Sequence, residues 1–278
     1  VLGGEMYYDK PGGDQYRITL KLYRACGPGN ANNTGFDSEA TIAIYDGLGA
    51  FHSVHFAPFP GEHAVEVQLE SPCLQAPPTI CAKWAEYVRV VTLPPNTTGY
   101  VASYQRCCRT PTTMNLAPGV LQGLTCTVQI PPAAVGANSS PRLAELPSIA
   151  LCMGQDMVID HAATDPDGDQ LVYDLVTPFA GGTDLEPMPT ALPPPYSPVL
   201  WAPGYSGGYP MDGSPGLTID ATTGVLTIHP TLLGSFAASV RVQEFRNGQL
   251  ISAVIRDLRF DVVACDAFIS AEIAPQLP

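Results

Sequence analysis

The sequence predicts an all-β protein, built as two tandem β-sandwich domains braced by disulfides. Three observations carry that expectation. The 278 residues include 29 prolines and 26 glycines but only 14% charged residues, a profile of short strands joined by turns rather than of helices. Apolar and polar residues alternate over several short stretches, the period of a half-buried strand. Eight cysteines, an even number, occur with no C-x-x-C pair and no zinc-like Cys/His spacing, so disulfides formed in an oxidising compartment are the economical reading. The length fits about two domains, and 45% hydrophobic content is enough for packed cores.

In Gln15 to Arg24, Tyr16, Ile18, Leu20 and Leu22 share one phase while Arg17, Thr19 and Lys21 take the other. Thr41 to Tyr45 and Ala64 to Leu69 repeat the pattern. Ala85 to Leu93 and Gly99 to Arg106 are two further strands across a Pro94-Pro95-Asn96 turn, and Thr125 to Ile130 closes a first domain over residues 1–130. Pro, Ala, Gly, Asn and Ser dominate a linker over 131–145. A second domain follows over 146–266, with strands expected at Ser148 to Leu151, Met157 to Asp160 and Leu171 to Val176. Gly216 to Asp220 and Val225 to His229 form a hairpin. Ser235 to Phe245 and Leu250 to Val263 form another, whose Asn247-Gly248 signals a type I′ turn. In the last strand Ile251, Ala253 and Ile255 are out of phase with Leu258, Phe260 and Val262, which predicts a bulge near Arg256. The tail 267–278 contains a strand-like Phe268 to Ile273, read as an inter-subunit strand. Phe179 to Ser214, rich in Pro and Gly, is a long loop that either functions or covers one face.

The net charge of −13 and the 13 scattered basic residues argue against nucleic acid. No apolar run reaches the length of a membrane span. A start at Val1 without Met fits a mature secreted form or a trimmed chain. Asn32, Asn96 and Asn138 each open an N-x-S/T triplet, which matters only in a glycosylating host.

The stretch with the clearest chemistry is Asp165-Pro166-Asp167-Gly168-Asp169. Alternate carboxylates in a tight turn can converge on one hard cation, and Ca2+ takes six to eight oxygens in irregular geometry. The EF-hand template fails, because its sixth position is Gln170 and its twelfth Val176. The expected ligands are Asp165, Asp167 and Asp169, with Glu244 as a distant fourth. Glu244 is in phase with inward-facing Val240 and Val242, where an acid needs a partner, and Arg256 is its rival partner. The other reading of the loop is a solvated Asx-turn without metal.

Cys73 and Cys81 bracket a Pro-rich loop and are expected to close it. Cys107 and Cys108, at a strand end, point to opposite faces and are expected to take different partners, with Cys26 and Cys126 as candidates. Cys152 and Cys265 then bracket the second domain. Gly204-Tyr205-Ser206-Gly207-Gly208 matches a nucleophile-elbow pattern, but Tyr209-Pro210 blocks the helix such a site requires. His52 and His55 would face opposite ways in a strand, which disfavours a shared metal. Tyr196, Trp201, Tyr205 and Tyr209 form a candidate contact surface for a subunit or a glycan.

Several of these segments resemble a known group in their order. They are Gly3-Gly4-Glu5-Met6, Tyr16 to Arg24, Tyr104-Gln105-Arg106-Cys107-Cys108-Arg109, the Asp165–Tyr173 stretch, Trp201 to Ser206 and Val242 to Gly248. The chain resembles the N-terminal region of Bacteroidetes cell-surface proteins that carry a gliding-motility-associated C-terminal domain, substrates of type IX secretion. That domain is not among these 278 residues, so the chain is expected either to continue beyond Pro278 or to have been processed. The second half, through Asp165 to Asp169, Leu217 to Asp220 and Thr223 to Leu226, resembles cadherin-like and immunoglobulin-like domains of bacterial adhesins. The resemblance implies two tandem immunoglobulin-like/cadherin-like β-sandwich domains, an extracellular or cell-surface address, and a structural or adhesive role. The expectation is a non-enzymatic protein, a homo-oligomer or fibre or sheath subunit, with Ca2+ as cofactor. The alternative is a carbohydrate-binding module recognising surface glycans.

Overall fold

The computed structural model describes residues 1–26, 35–65, 74–75, 80–146 and 149–267. The first half contains β1 (Gly3–Gly12), β2 (Gln15–Ala25), β3 (Glu39–Asp46), β4 (Phe51–Pro58), β5 (His63–Val65), β6 (Leu74–Gln75), β7 (Ala82–Thr92), β8 (Tyr100–Arg106) and β9 (Leu124–Ile130). The second contains β10 (Arg142–Leu143), β11 (Ala150–Cys152), β12 (Met157–Asp160), β13 (Ala163–Thr164), β14 (Gln170–Val176), β15 (Thr218–Ile219), β16 (Val225–Ile228), β17 (Gly234–Arg246), β18 (Gln249–Val263) and β19 (Asp266–Ala267). Among the described residues the only helical element is a 3-10 turn at Ala133–Val135. The fold is all-β, as its composition requires.

One curled sheet runs in the order β4-β3-β8-β9-β18-β1-β2-β7-β5, with β11 and β17 also on β18 and β14 on β17. β18 is the hinge of this arrangement. At about 3.3 Å per residue its 15 residues span about 50 Å. Val254 pairs with Val128 of β9, Asp257 with Gly4 of β1, and Asp261 to Val263 run parallel to β11. Two cores lie along it. One gathers Met6, Tyr8, Ile18, Leu20, Leu22, Ile42, Ile44, Tyr87, Val128 and Val254. The other gathers Met157, Ile159, Leu226, Phe236, Val240, Val242, Leu258, Phe260 and Val262. The 131–145 stretch lies against both halves, so Ser140 Oγ accepts from Tyr8 N at 2.9 Å and Ala144 O accepts from Arg256 at 2.7 Å.

The alternation in β2 holds, with Ile18, Leu20 and Leu22 buried. The Asn247-Gly248 turn has φ of 53° and 77°, as type I′ demands. The bulge expected near Arg256 is absent. The β17–β18 ladder runs unshifted from Gly234↔Val262 to Glu244↔Ser252, and its register shift falls between Glu244 and Phe245. Ser252, Val254, Arg256, Leu258, Phe260 and Val262 are all buried, so one inward phase persists through the strand. It persists because Arg256 is neutralised inside by Glu5.

The cysteines also correct the expected pairing. Cys81 bonds to Cys26, because Ala25↔Ala82 ends the β2–β7 ladder and sets the two thiols opposite each other. Cys73 lies outside the described residues. Cys107 and Cys108 bond to one another. Strand alternation does not separate them, since β8 ends at Arg106. Cys126 is free and buried in the first core. The Cys152–Cys265 bond is present. Val67, Leu69 and the Phe268 to Ile273 strand lie outside the described residues.

The long 177–216 segment covers the sheet. Asn115 is fully buried and bonds the carbonyls of Pro210 and Ala237, while Tyr45 OH donates to Ala191 O and Leu200 N donates to Gln122 Oε1.

Candidate functional site

The Asp loop forms where β13 turns into β14. Gly168 takes φ of 81°, which favours glycine. Asp165 Oδ1 accepts from the backbone N–H of Asp167 at 3.0 Å and of Asp169 at 2.9 Å, the expected Asx geometry. β14 pairs with β17, placing Gln170 opposite Phe245 and Leu171 opposite Glu244. This register brings carboxylate oxygens of Asp165, Asp169 and Glu244 within 4.8 Å of one another. Three of the four predicted ligands therefore meet. The fourth, Asp167, instead accepts from Ser139 N at 2.7 Å.

Glu244 is fully buried. Its Oε2 accepts from Ser252 Oγ at 2.5 Å and Asn138 Nδ2 at 3.1 Å, while Oε1 has no partner. Asp165 Oδ2 is likewise buried without a partner. Burial pushes the Glu244 carboxyl up to about 7, and the neighbouring Asp165 charge pushes the same way. Arg246 donates to Asp169 from Nε at 2.9 Å and to Asn138 Oδ1 at 2.7 Å, and its hydrogen bonds hold the Asp169 carboxyl below the usual range. Three carboxylates thus face one guanidinium. The two oxygens without partners and this excess of negative charge suit a cation, and the cluster can hold a metal ion. Arg256 is not the partner of Glu244. It bonds Glu5 with two nitrogens, at 2.9 and 2.8 Å.

Residues the sequence did not single out complete the cluster. Asn138, read there only as a glycosylation triplet, bridges Tyr8 OH, Glu244 and Arg246. Ser139 and Ser252 supply the remaining donors. No local pattern marks them, since strand pairing alone makes them neighbours.

The other candidates are placed as follows. Tyr196, Trp201 and Tyr205 are half-buried. Tyr196 OH meets Ser103 Oγ, Trp201 Nε1 donates to Thr177 Oγ1 at 3.4 Å, and Tyr205 OH donates to Asp212. Tyr209 alone of the four is exposed. Ser206 and Tyr209 exchange two backbone hydrogen bonds in a tight turn. The opposite-face expectation for His52 and His55 fails. A register shift where Tyr45 pairs with Phe51 makes His52 an extra residue, and both rings lie 2.9 Å from Ser53 Oγ.

His161 is fully buried, and neither ring nitrogen has a hydrogen-bond partner. Burial, then the Arg256 charge, holds its pKa well below the ordinary value. An unfolded-chain histidine binds its proton near pH 6.5. The native state therefore keeps full stability above that pH and loses it as the pH falls toward the depressed native value. Relative to His161→Leu, wild type should lose about 1.4 kcal/mol per pH unit below about pH 6.5. Urea titrations from pH 7.5 to 5 read this slope, and parallel curves would show that His161 does not set it.

Among the described residues no helix is long and apolar enough to cross a membrane. Compared with known proteins, the chain matches no family model, no curated protein and no solved structure.

Proposed function

We propose that this chain is a non-enzymatic extracellular module of a secreted cell-surface protein, a structural or adhesive unit of a fibre or sheath whose work is contact. One observation carries the reading. β18 belongs to both cores, and its buried Arg256 and Asp257 join the halves through Glu5 and Arg109. Disulfides at Cys26–Cys81 and Cys152–Cys265 brace each half, as suits an oxidising compartment. The resemblance to Bacteroidetes surface proteins points the same way. Negative-stain images of native material should show the chain within a fibre or sheath. A lone particle that binds one glycan class on an array would replace this reading with the second one.

That second reading, a carbohydrate-binding module, is favoured by a cavity of about 290 Å³ lined by Tyr8, Tyr16, Tyr100, Lys10 and Asp14. Aromatic walls with a few polar groups suit a small polar ligand.

We assign Ca2+ to the Asp165, Asp169 and Glu244 cluster, since carboxylate oxygens at irregular spacing suit that ion. A metal bound only by the native state stabilises by mass action, about 2.7 kcal/mol at a hundredfold excess over Kd. Added Ca2+ should raise the Tm by several degrees, and a chelator should reverse the change. Glu244→Gln should remove the response. Superimposable melting curves with Ca2+ and with chelator would refute the assignment.

A further inference from the structure

Two opposite charges face the cavity of about 290 Å³ without meeting. Lys10 lies near the end of β1, and Asp14 lies in the turn between β1 and β2. Pro11 has no N–H to donate and Gly13 takes φ of 55°, and the ladder shifts register between Asp9 and Gly12. A bulge of this kind re-aims side chains. Lys10 is in phase with the buried Met6 and Tyr8. Its ammonium stands 4.0 Å from the Tyr16 ring centre and donates to the Tyr16 hydroxyl at 2.7 Å. No carboxylate pairs with it among the described residues. Apart from Arg89, every other basic side chain is paired with one. The Asp14 carboxylate accepts from no group among the described residues. Two hydroxyl protons are also free. Tyr8 OH accepts from Asn138 Nδ2 at 3.0 Å and Tyr16 OH accepts from Lys10, and neither donates to a described group. The cavity thus offers an ammonium, a carboxylate and two hydroxyl donors, all with capacity left.

We propose that this cavity takes one neutral sugar ring, with Asp14 accepting from its hydroxyls and Lys10, Tyr8 and Tyr16 donating to its oxygens. Size limits the ligand first. A volume near 290 Å³ is at the low end for ligand sites, so it suits a single ring rather than a chain. Charge then selects the class. The lining carries one cation and one anion, so it has no net charge with which to hold an ion. An acidic sugar would meet Asp14 and the field of a chain with net charge −13. An amino sugar would meet Lys10. A zwitterion would match both but would shed the hydration of two ions. A hydroxyl loses far less on leaving water, and it donates and accepts at once. Adjacent hydroxyls of one ring therefore answer both charges without burying a third. Tyr8, Tyr16 and Tyr100 supply the apolar wall. The inference rests on the carbohydrate reading of this cavity, which an adhesive unit can carry, and it names the class of sugar.

Saturation-transfer NMR and calorimetric titration of the full chain test the proposal. The probes are the methyl glycosides of glucose, galactose and mannose, beside those of glucuronate and glucosamine. At least one neutral glycoside should bind about tenfold or more tightly than either charged one. Asp14→Asn and Lys10→Met should each weaken neutral binding by about tenfold, the worth of a hydrogen bond to a charged group. Asp14→Asn leaves the Lys10 charge unbalanced and should also turn the preference toward glucuronate. Lys10→Met should turn it toward glucosamine, a gain that a misfolded variant could not show. Lys83→Met removes the same charge from the exposed pair with Glu62 and should change nothing. A charged glycoside that binds wild type as tightly as the neutral ones would overturn the inference, as would both cavity replacements leaving every affinity unchanged. Either result leaves the cavity a carbohydrate site of another kind. No binding by any of the five would remove the carbohydrate reading itself, and the inference with it.

Discussion

Arg256→Leu should destabilise the fold by about 3–5 kcal/mol, the cost of leaving a buried charge without its partner. Arg256 is 1% exposed and Glu5 2%. The guanidinium makes two hydrogen bonds to Glu5 on β1 and one to Ala144 O in the 131–145 stretch. Tyr23 OH donates to the same carboxylate at 2.9 Å. Removal of Arg256 leaves Glu5 with the tyrosine alone, in a site where desolvation already opposes charge. Both halves of the molecule feel the loss, because β18 carries this residue between the two cores. Urea unfolding measures it as a lower midpoint at unchanged slope. The double replacement Glu5→Met with Arg256→Leu should recover most of the loss, since a well-packed apolar pair is often no worse than a buried ion pair. A single variant within 1 kcal/mol of wild type would show that the pair does not hold the halves together.

The same strand shows what could be read from the residues and what could not. The hairpin β17–β18 was legible, because Asn247-Gly248 dictates a turn and the flanks alternate. The phase of β18 was not. Arg256 lies on one face of the strand against Glu5 and Asp257 on the other, buried against Arg109, which donates to it at 2.8 Å, so charge sits on both faces and hides the period. β1 went unread for a different reason. Gly3 and Gly4 look like turn residues, yet a Cβ on Gly3 would stand 1.9 Å from Asp257 O and one on Gly4 2.9 Å from Cys126 Sγ. They are glycines because β18 and β9 pass so close. The Asp loop was legible as a local turn, and Glu244 followed from its strand phase. Asn138, Arg246 and Ser252 depend on long-range pairing, which no short pattern encodes. The Cys26–Cys81 bond escaped for a related reason. A Pro-rich loop suggested a local closure, whereas the β2–β7 register decides the partner.

The Cys152→Ala/Cys265→Ala variant should lose about 4 kcal/mol. The bond closes a separation of 113 residues, for which chain entropy alone gives at most about 4.8 kcal/mol, with native-state strain taking some of it back. Cys152 is fully buried in the second core, and β11 holds its place through only three residues of parallel ladder on β18. Parallel pairing is weaker per residue than antiparallel. Without the bond, the strand keeps the burial of Ile149 and Leu151 and the hydrogen bond from Gly154 N to Pro230 O, but no covalent anchor. Cys26–Cys81 spans 55 residues, so the entropic difference between the two bonds is only about 0.6 kcal/mol. That bond, however, closes the end of an 11-residue antiparallel ladder that persists without it. The second-half variant should therefore lose clearly more than Cys26→Ala/Cys81→Ala, with loosening concentrated at β11 in hydrogen exchange. Equal losses would mean that both bonds act on the unfolded chain alone, and that β11 needs no covalent anchor to stay in the sheet.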